Sequence, residues 1–169
     1  AGMWRTHTDA MQIVSNVLYE PIIHFEAPPS KNIPHEMHHF IKWFNDTAPN
    51  QSREIKNHVI RSAIAHIYFE SIHPFEDGNG RIGRALSEKA LSQGMEYPVL
   101  FSISKAIEQK KKYYYNALEN AQKSNDITDW IYYFTNMVLA AYEDTELLIH
   151  FVLQKSRFFD CYDAQMEVT

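Results

Sequence analysis

The apolar positions of this chain change period once. MQIVSN (Met11 to Asn16) and PIIHFEA (Pro21 to Ala27) roughly alternate apolar and polar residues and are rich in β-branched side chains. A period of two in two short segments, with a brief reversal between them, predicts a β-hairpin over about residues 11–27. After the Pro-rich APPS (Ala27 to Ser30) the spacing becomes helical. Pro34 suits the first turn of a helix. Met37, Phe40, Ile41 and Phe44 then recur at intervals of three and four. NDTAPNQS (Asn45 to Ser52) reads as a loop. A longer helix is predicted from about Glu54 to Ile72, with Ile60, Ala63, Ile64 and Ile67 on one face, stopped by Pro74. Helix resumes near Asn79 and reaches about Ser92, where Gly94 and Pro98 break it. A further stretch is predicted from about Ser104 to Lys123. A last one starts at Ile127 or Thr128, with Asp126 or Thr128 as cap, and continues past Leu148. The last ten residues carry no clear pattern. The sum is mainly α: one helical bundle with a small hairpin, a single domain over residues 1–169.

Composition narrows this picture. At 169 residues and 45% hydrophobic, the chain is long enough for one sizeable core. A formal charge of −5 argues against a broad nucleic-acid surface. A local anion site needs only a few arginines and oriented N–H groups, so it stays open. The single cysteine, Cys161, excludes an intramolecular disulfide and fits a reducing, cytoplasmic compartment. There is no run of 18 apolar residues to span a membrane. AGMWRTHTDA lacks the charged start and apolar core of a signal peptide. The abrupt beginning is what a fragment of a longer protein would show.

The chemistry concentrates in HPFEDGNGRIGR, His73 to Arg84. Gly78 and Gly80 flank Asn79 and let the backbone approach a ligand closely. The residues that follow read as helix, so loop and first-turn amides would converge where the helix dipole favours an anion. Arg81 and Arg84 are three apart and share a face, and each can fork onto phosphate oxygens. Asp77 offers a hard oxygen ligand, and one carboxylate plus substrate phosphates is a common way to hold Mg²⁺. His73, at the end of the preceding helix, can take a proton near pH 7. Phe75 is an apolar anchor for the loop. DGNG alone would be an ordinary turn. The full pattern H-x-F-x-[DE]-G-N-G-R-x-x-R is expected by chance only on the order of 10⁻⁹ times in a chain of this composition, which decides for a functional motif.

This segment resembles the Fic family signature at every defining position. VIRSAIAHIYFESIHPF resembles the family's lead-in helix. WRTHTDAMQIVSN with IIHFEAPPS resembles its arginine–threonine segment and β-hairpin flap. KKYYYNALENAQ and DITDWIYYF resemble its later helices, so the likeness covers most of residues 3–145.

The resemblance implies a Fic-type helical bundle and an ATP-dependent protein adenylyltransferase. Such an enzyme moves AMP from ATP to a Tyr, Thr or Ser hydroxyl of a target protein, here unidentified. By position, His73 would be the general base and Asp77 the Mg²⁺ ligand. Gly78, Asn79 and Gly80 would cradle the phosphates, Asn79 also through its side chain, and Arg81 and Arg84 would neutralise them. The flap near Ile23, His24 and Phe25 would clamp the target by strand addition. Tyr114 or Tyr115 would approach the nucleotide or serve the core. Doc-like relatives phosphorylate and lack the GNG nest, so GNGR favours AMP transfer. Some relatives also remove AMP with the same site. Many carry an inhibitory helix, [ST]-x-x-x-E-[GN], whose glutamate pairs with the second arginine, here Arg84. SQGMEY (Ser92 to Tyr97) and SKAIEQ (Ser104 to Gln109) each miss its last position. In the family's commonest arrangement that helix lies N-terminal to the flap, so the resemblance implies one upstream of Ala1.

Two other readings compete. HEMHH (His35 to His39) matches the zinc-hydrolase pattern H-E-x-x-H through His35, Glu36 and His39. Pro34 puts it at a helix start, on the side opposite Met37, Phe40 and Phe44, with no third ligand at a familiar spacing. A solvated face is the better account. The other alternative is a Fic-fold binding module without turnover, against which the intact loop argues. LLIHFVL, near the C-terminus, fits packing inside the domain or against a second copy in a homodimer.

Overall fold

The computed structural model describes residues 2–17, 20–95 and 98–166. Two antiparallel strands, β1 (Gln12–Val17) and β2 (Glu20–Glu26), form the predicted hairpin. Its register shifts between Ile13, opposite Phe25, and Val14, opposite Ile23, which leaves His24 as the extra residue of a bulge. A short 3₁₀ turn, Ser30–Asn32, leads into α1 (Ile33–Asp46). Of the expected apolar stripe of α1, Met37, Phe40 and Phe44 are buried, joined by Ile33, whereas Ile41 is exposed.

The central element is α2 (His58–Ile72). It starts four residues later than its apolar spacing suggests. The Asn57 side chain accepts from the N–H groups of Val59 and Ile60, both at 3.1 Å, and so fixes the first turn. Burial runs almost round this helix, as expected of one packed on all sides. One face joins α1 through Ala65, Phe69 and Ile72. The opposite face, through Ala63 and Ile67, joins the larger core around Trp130 and Phe134.

α3 (Asn79–Met95) returns antiparallel to α2. It runs through Gly94, so that glycine does not end it. A Cβ there would collide with the His58 ring, and its absence allows the two helices to close. Buried Arg61 ties three helices together. Its guanidinium donates to the Phe44 carbonyl at 2.7 Å and to the Gln93 side chain at 3.0 Å.

The stretch predicted from Ser104 to Lys123 is two helices, α4 (Ile103–Gln109) and α5 (Lys111–Gln122). They separate at Lys110, whose extended φ of −129° interrupts the helical geometry. α6 (Thr128–Met166) includes most of the residues that lacked a pattern. Asp126 accepts from the Thr128 N–H at 2.9 Å at its start. Trp130, Phe134, Met137, Val138 and Ala141 bury its first half. Residues 146–162 are all exposed, so LLIHFVL does not pack inside the domain. Among the described residues no helix is long and apolar enough to cross a membrane.

Candidate active site

The motif loop is held by backbone and side chain at every turn. α2 ends at His73, whose N–H reaches the Phe69 carbonyl at 3.0 Å. His73 takes the left-handed conformation, φ 49° and ψ 59°, because Pro74 cannot continue the helix. Arg5, buried, donates through Nε to the His73 carbonyl at 2.8 Å, and its own N–H donates to the Pro74 carbonyl at 2.9 Å. Its other nitrogens reach Ser30 Oγ at 3.0 Å and the Pro28 carbonyl. The cation thus sits on the carbonyl end of α2, where the helix dipole favours it.

Asn79 closes the loop from the other side. Its amide oxygen accepts from the Phe75 N–H at 2.9 Å and its amide nitrogen donates to the Phe75 carbonyl at 2.7 Å. The side chain is buried and clasps the loop through both of its amide atoms. Gly78, with φ 90°, makes the turn into α3, and the Ile82 N–H returns to its carbonyl at 3.0 Å. The amides just before Ile82 begin a helix and have no intrahelical acceptor.

A cavity of about 810 Å³ opens beside this loop. His73, Gly80 and Arg84 line it from the motif, and Tyr114 and Tyr115 line it from α5. Ile13 and Phe25 reach it from the hairpin. Of the residues singled out in the sequence, Gly78, Asn79, Asp77, Arg81 and Ile23 are not among its lining. The His24 side chain lies outside the described residues. Asp77 and Arg81 pair with each other at 2.7 Å, both largely exposed. Arg84 is separate from that pair and donates through Nε to Ser104 Oγ at 2.8 Å. The two arginines therefore have different surroundings, although they are only three residues apart.

The electrostatics favour a neutral imidazole. Burial lowers the pKa of His73, and the Arg5 guanidinium lowers it further, against an opposing contribution from the Glu70 backbone. Two residues with no assigned role in the sequence reading stand behind the site. Glu70, in α2, is buried and lines the cavity. Burial pushes its carboxyl up to about 7, with Arg84 opposing the shift. Its signal in the sequence is that it is the one acidic residue between His58 and Ile72. His66, fully buried, lies 3.0 Å from Ser87 Oγ through Nδ1 and 2.7 Å from the Tyr114 hydroxyl through Nε2. Ser87 donates its own hydrogen to the Gly83 carbonyl at 2.9 Å. His66 Nδ1 must therefore carry a proton, and Nε2 accepts from Tyr114. That bond fixes Tyr114 as a core residue that also borders the cavity.

The sequence pattern of the Fic/DOC family matches residues 3–91, just over half of the chain. The chain belongs to the Fic/DOC family. A probable protein adenylyltransferase of Aquifex aeolicus (strain VF5) is 30% identical over 99 residues, which is 59% of this chain and 27% of that protein. The crystal structure of a Fic family protein from Desulfovibrio desulfuricans G20 superposes with a TM-score of 0.70 at 26% identity, over 88% of this chain and 42% of the other. A Fic-domain-containing signaling protein from Bacteroides thetaiotaomicron VPI-5482 gives a TM-score of 0.60 at 21% identity, over 83% and 52%. This chain spans about a quarter of the length of the first relative and about half of the solved structures.

Within this Fic domain, HEMHH does not assemble a zinc site. His35 and His39 are exposed on α1 with their Nε2 atoms 3.0 Å apart. Among the described residues no group of three or more His, Cys, Asp or Glu side chains could hold a metal ion. Both histidines lie on the solvent side of α1, opposite the buried Met37, Phe40 and Phe44, and have no third ligand beside them among the described residues. Of the two near-matches to the inhibitory pattern, SQGMEY includes Glu96 and Tyr97, which lie outside the described residues. SKAIEQ forms α4, and its Ser104 accepts from Arg84, while Glu108 is exposed.

Proposed function

We propose that this Fic domain transfers AMP from ATP to a Tyr, Thr or Ser hydroxyl of a target protein. The observation that carries the reading is that His73, kept neutral by burial, borders the same cavity as Gly80 and Arg84. A base and an anion site facing one space are what nucleotidyl transfer requires. The acceptor oxygen attacks the α-phosphorus as its proton passes to His73. The bond from the α-phosphorus to the bridging oxygen breaks, and pyrophosphate leaves. Amides at the start of α3 and the Arg84 guanidinium take the phosphate charge. Ile13 and Phe25 of the hairpin border the cavity from the side where a target segment would lie.

Mg²⁺ fits the donor set through Asp77. Its carboxylate is exposed beside the loop, and Mg²⁺ needs only one or two carboxylates when phosphates and water complete its shell. When bound, the ion would neutralise phosphate charge. Asp77 would then exchange Arg81 for the metal and free that guanidinium for the phosphates.

Intact-mass analysis after incubation with ATP, Mg²⁺ and candidate targets tests the proposal. A gain matching AMP, on a target or on the protein itself, and lost in His73→Ala, is the expected result. A gain matching phosphate would overturn it. Equal background labelling of wild type and His73→Ala would favour a binding module. Release of AMP from a modified target would reveal the reverse reaction at the same site.

A further inference from the structure

Glu70 presents a problem of physical chemistry. Its side chain is only 6% exposed, yet Oε1 has no hydrogen-bond partner among the described residues. A buried carboxylate without partners is costly, so such groups are uncommon unless they have a task. The fold makes room for this one with glycines. A Cβ at Gly83 would collide with Oε1, and one at Gly80 would lie 4.0 Å from it. The other carboxylate oxygen, Oε2, lies 4.0 Å from His73 Nδ1. That nitrogen is also buried and without a partner. A buried carboxylate and a buried imidazole nitrogen therefore stand 4.0 Å apart behind the loop, beyond hydrogen-bond distance. Catalytic hydrogen bonds are often long in a free enzyme and shorten when substrate binds.

We infer that Glu70 is a positioning residue for His73: its carboxylate accepts the Nδ1–H, which leaves the Nε2 lone pair for the acceptor hydroxyl. The inference rests on the reading of His73 as the base. With Nδ1 buried, Nε2 is the nitrogen left for the acceptor. The carboxylate then holds one tautomer and stabilises the imidazolium formed when Nε2 takes the proton, without itself having to leave its slot. The charged and titratable groups around the pair come from three other segments. Arg84 of α3 approaches Glu70, Tyr114 of α5 borders the carboxylate, and Arg5 approaches His73. Arg84 is not within ion-pair distance, and its Nε is held by Ser104, so Glu70 is not already neutralised by a partner.

The rival account is that Glu70 only holds Arg84 in place for ATP. Glu70→Gln keeps the shape and removes the charge, which separates the two. Long-range ¹H–¹⁵N correlation spectra of wild type and Glu70→Gln, followed through pH, need no turnover. The expected result, above about pH 8 where Glu70 is ionised, is an Nδ1-protonated neutral His73 in wild type and a shift toward the Nε2-protonated tautomer in the variant, whose amide is a weaker acceptor than a carboxylate. An unchanged tautomer balance would overturn the inference. In the AMP-transfer assay, kcat of Glu70→Gln should fall at least about tenfold, with the KM for ATP within about threefold. Glu70→Asp should recover part of the loss. A raised KM with unchanged kcat would assign Glu70 to Arg84 and overturn the inference. If wild type transfers nothing from ATP, the proposed function fails, and the His73 tautomer still decides the role of Glu70. Cooperative thermal unfolding of the variant above pH 7, at a temperature no lower than that of wild type, excludes a folding defect.

Discussion

Arg5 and His73 are 68 residues apart, and the Arg5 Nε donates to the His73 backbone carbonyl at 2.8 Å. This bond fixes the peptide on which the proposed base is carried. The same guanidinium reaches Ser30 and Pro28, so the N-terminal segment and the approach to α1 are tied to the motif loop. Arg5→Ala leaves these acceptors without a donor. It is expected to lower stability by about 2–4 kcal/mol, as for other buried charged hydrogen-bond partners. Urea unfolding gives the number. Arg5→Lys should recover little, because an ammonium cannot reproduce the fork. A loss below about 0.5 kcal/mol for Arg5→Ala would show that the loop holds itself.

Asn79 should act on the loop mainly through Phe75. In Asn79→Ala, the Phe75 N–H and carbonyl both lose their partner. An unsatisfied buried group costs about 1–3 kcal/mol, so a comparable loss of stability is expected without any nucleotide present. Thermal unfolding of the nucleotide-free protein checks this. No change there, together with weakened nucleotide binding, would restore the side chain to a direct phosphate role.

Two buried titratable groups of α2, His66 and Glu70, make opposite contributions to stability against pH. His66 has its pKa pulled down from 6.5 to about 4 by burial. Between those values the unfolded chain binds a proton that the folded one does not, so acid destabilises the fold. Glu70 has its pKa pushed up from 4.5 to about 7 by burial, so the folded chain binds the extra proton and acid stabilises it over that window. Each amounts to about 3 kcal/mol across its window, and the two windows overlap between pH 4.5 and 6.5. Wild-type stability should therefore change little from these groups in the overlap. Glu70→Gln removes one slope and exposes the other: the variant should gain stability above pH 7 and lose it steeply below pH 6.5. Denaturant titrations at several pH values compare the two profiles, and parallel curves would refute the prediction.

Gly94 is predicted to be intolerant of alanine. Helix propensity alone would make Gly94→Ala favourable by about 1 kcal/mol. The added Cβ meets the His58 ring, which belongs to the facing helix. Overpacking of this kind costs about 1–3 kcal/mol, so a net loss is expected in thermal unfolding. Gly94→Ala with His58→Ala should recover stability if the contact is the cause, since neighbouring sites couple.

The elements that were legible in the sequence are those specified by neighbours along the chain. The hairpin follows from alternation in residues 11–27, and α1 from its stripe of Met37, Phe40 and Phe44. The start of α2 was missed because a cap, Asn57, outweighs apolar spacing at a helix end. The split at Lys110 was missed because a single non-helical residue leaves the apolar rhythm of Ile103, Ala106, Ile107 and Tyr114 nearly intact.

By itself the sequence determined the family, the mainly α class and the position of the motif loop. HPFEDGNGRIGR is contiguous, so its turn, its helix start and its residue types can be read without knowing what surrounds it. Only the tertiary structure separated Arg84, at the cavity, from Arg81, paired with Asp77, and turned the Asn79 amide onto Phe75. It also placed Arg5 on the His73 carbonyl and Glu70 behind the imidazole. Those relationships depend on which face of α3 meets α2 and where the N-terminal segment crosses the loop. They are set by packing between distant segments, which a local pattern does not encode.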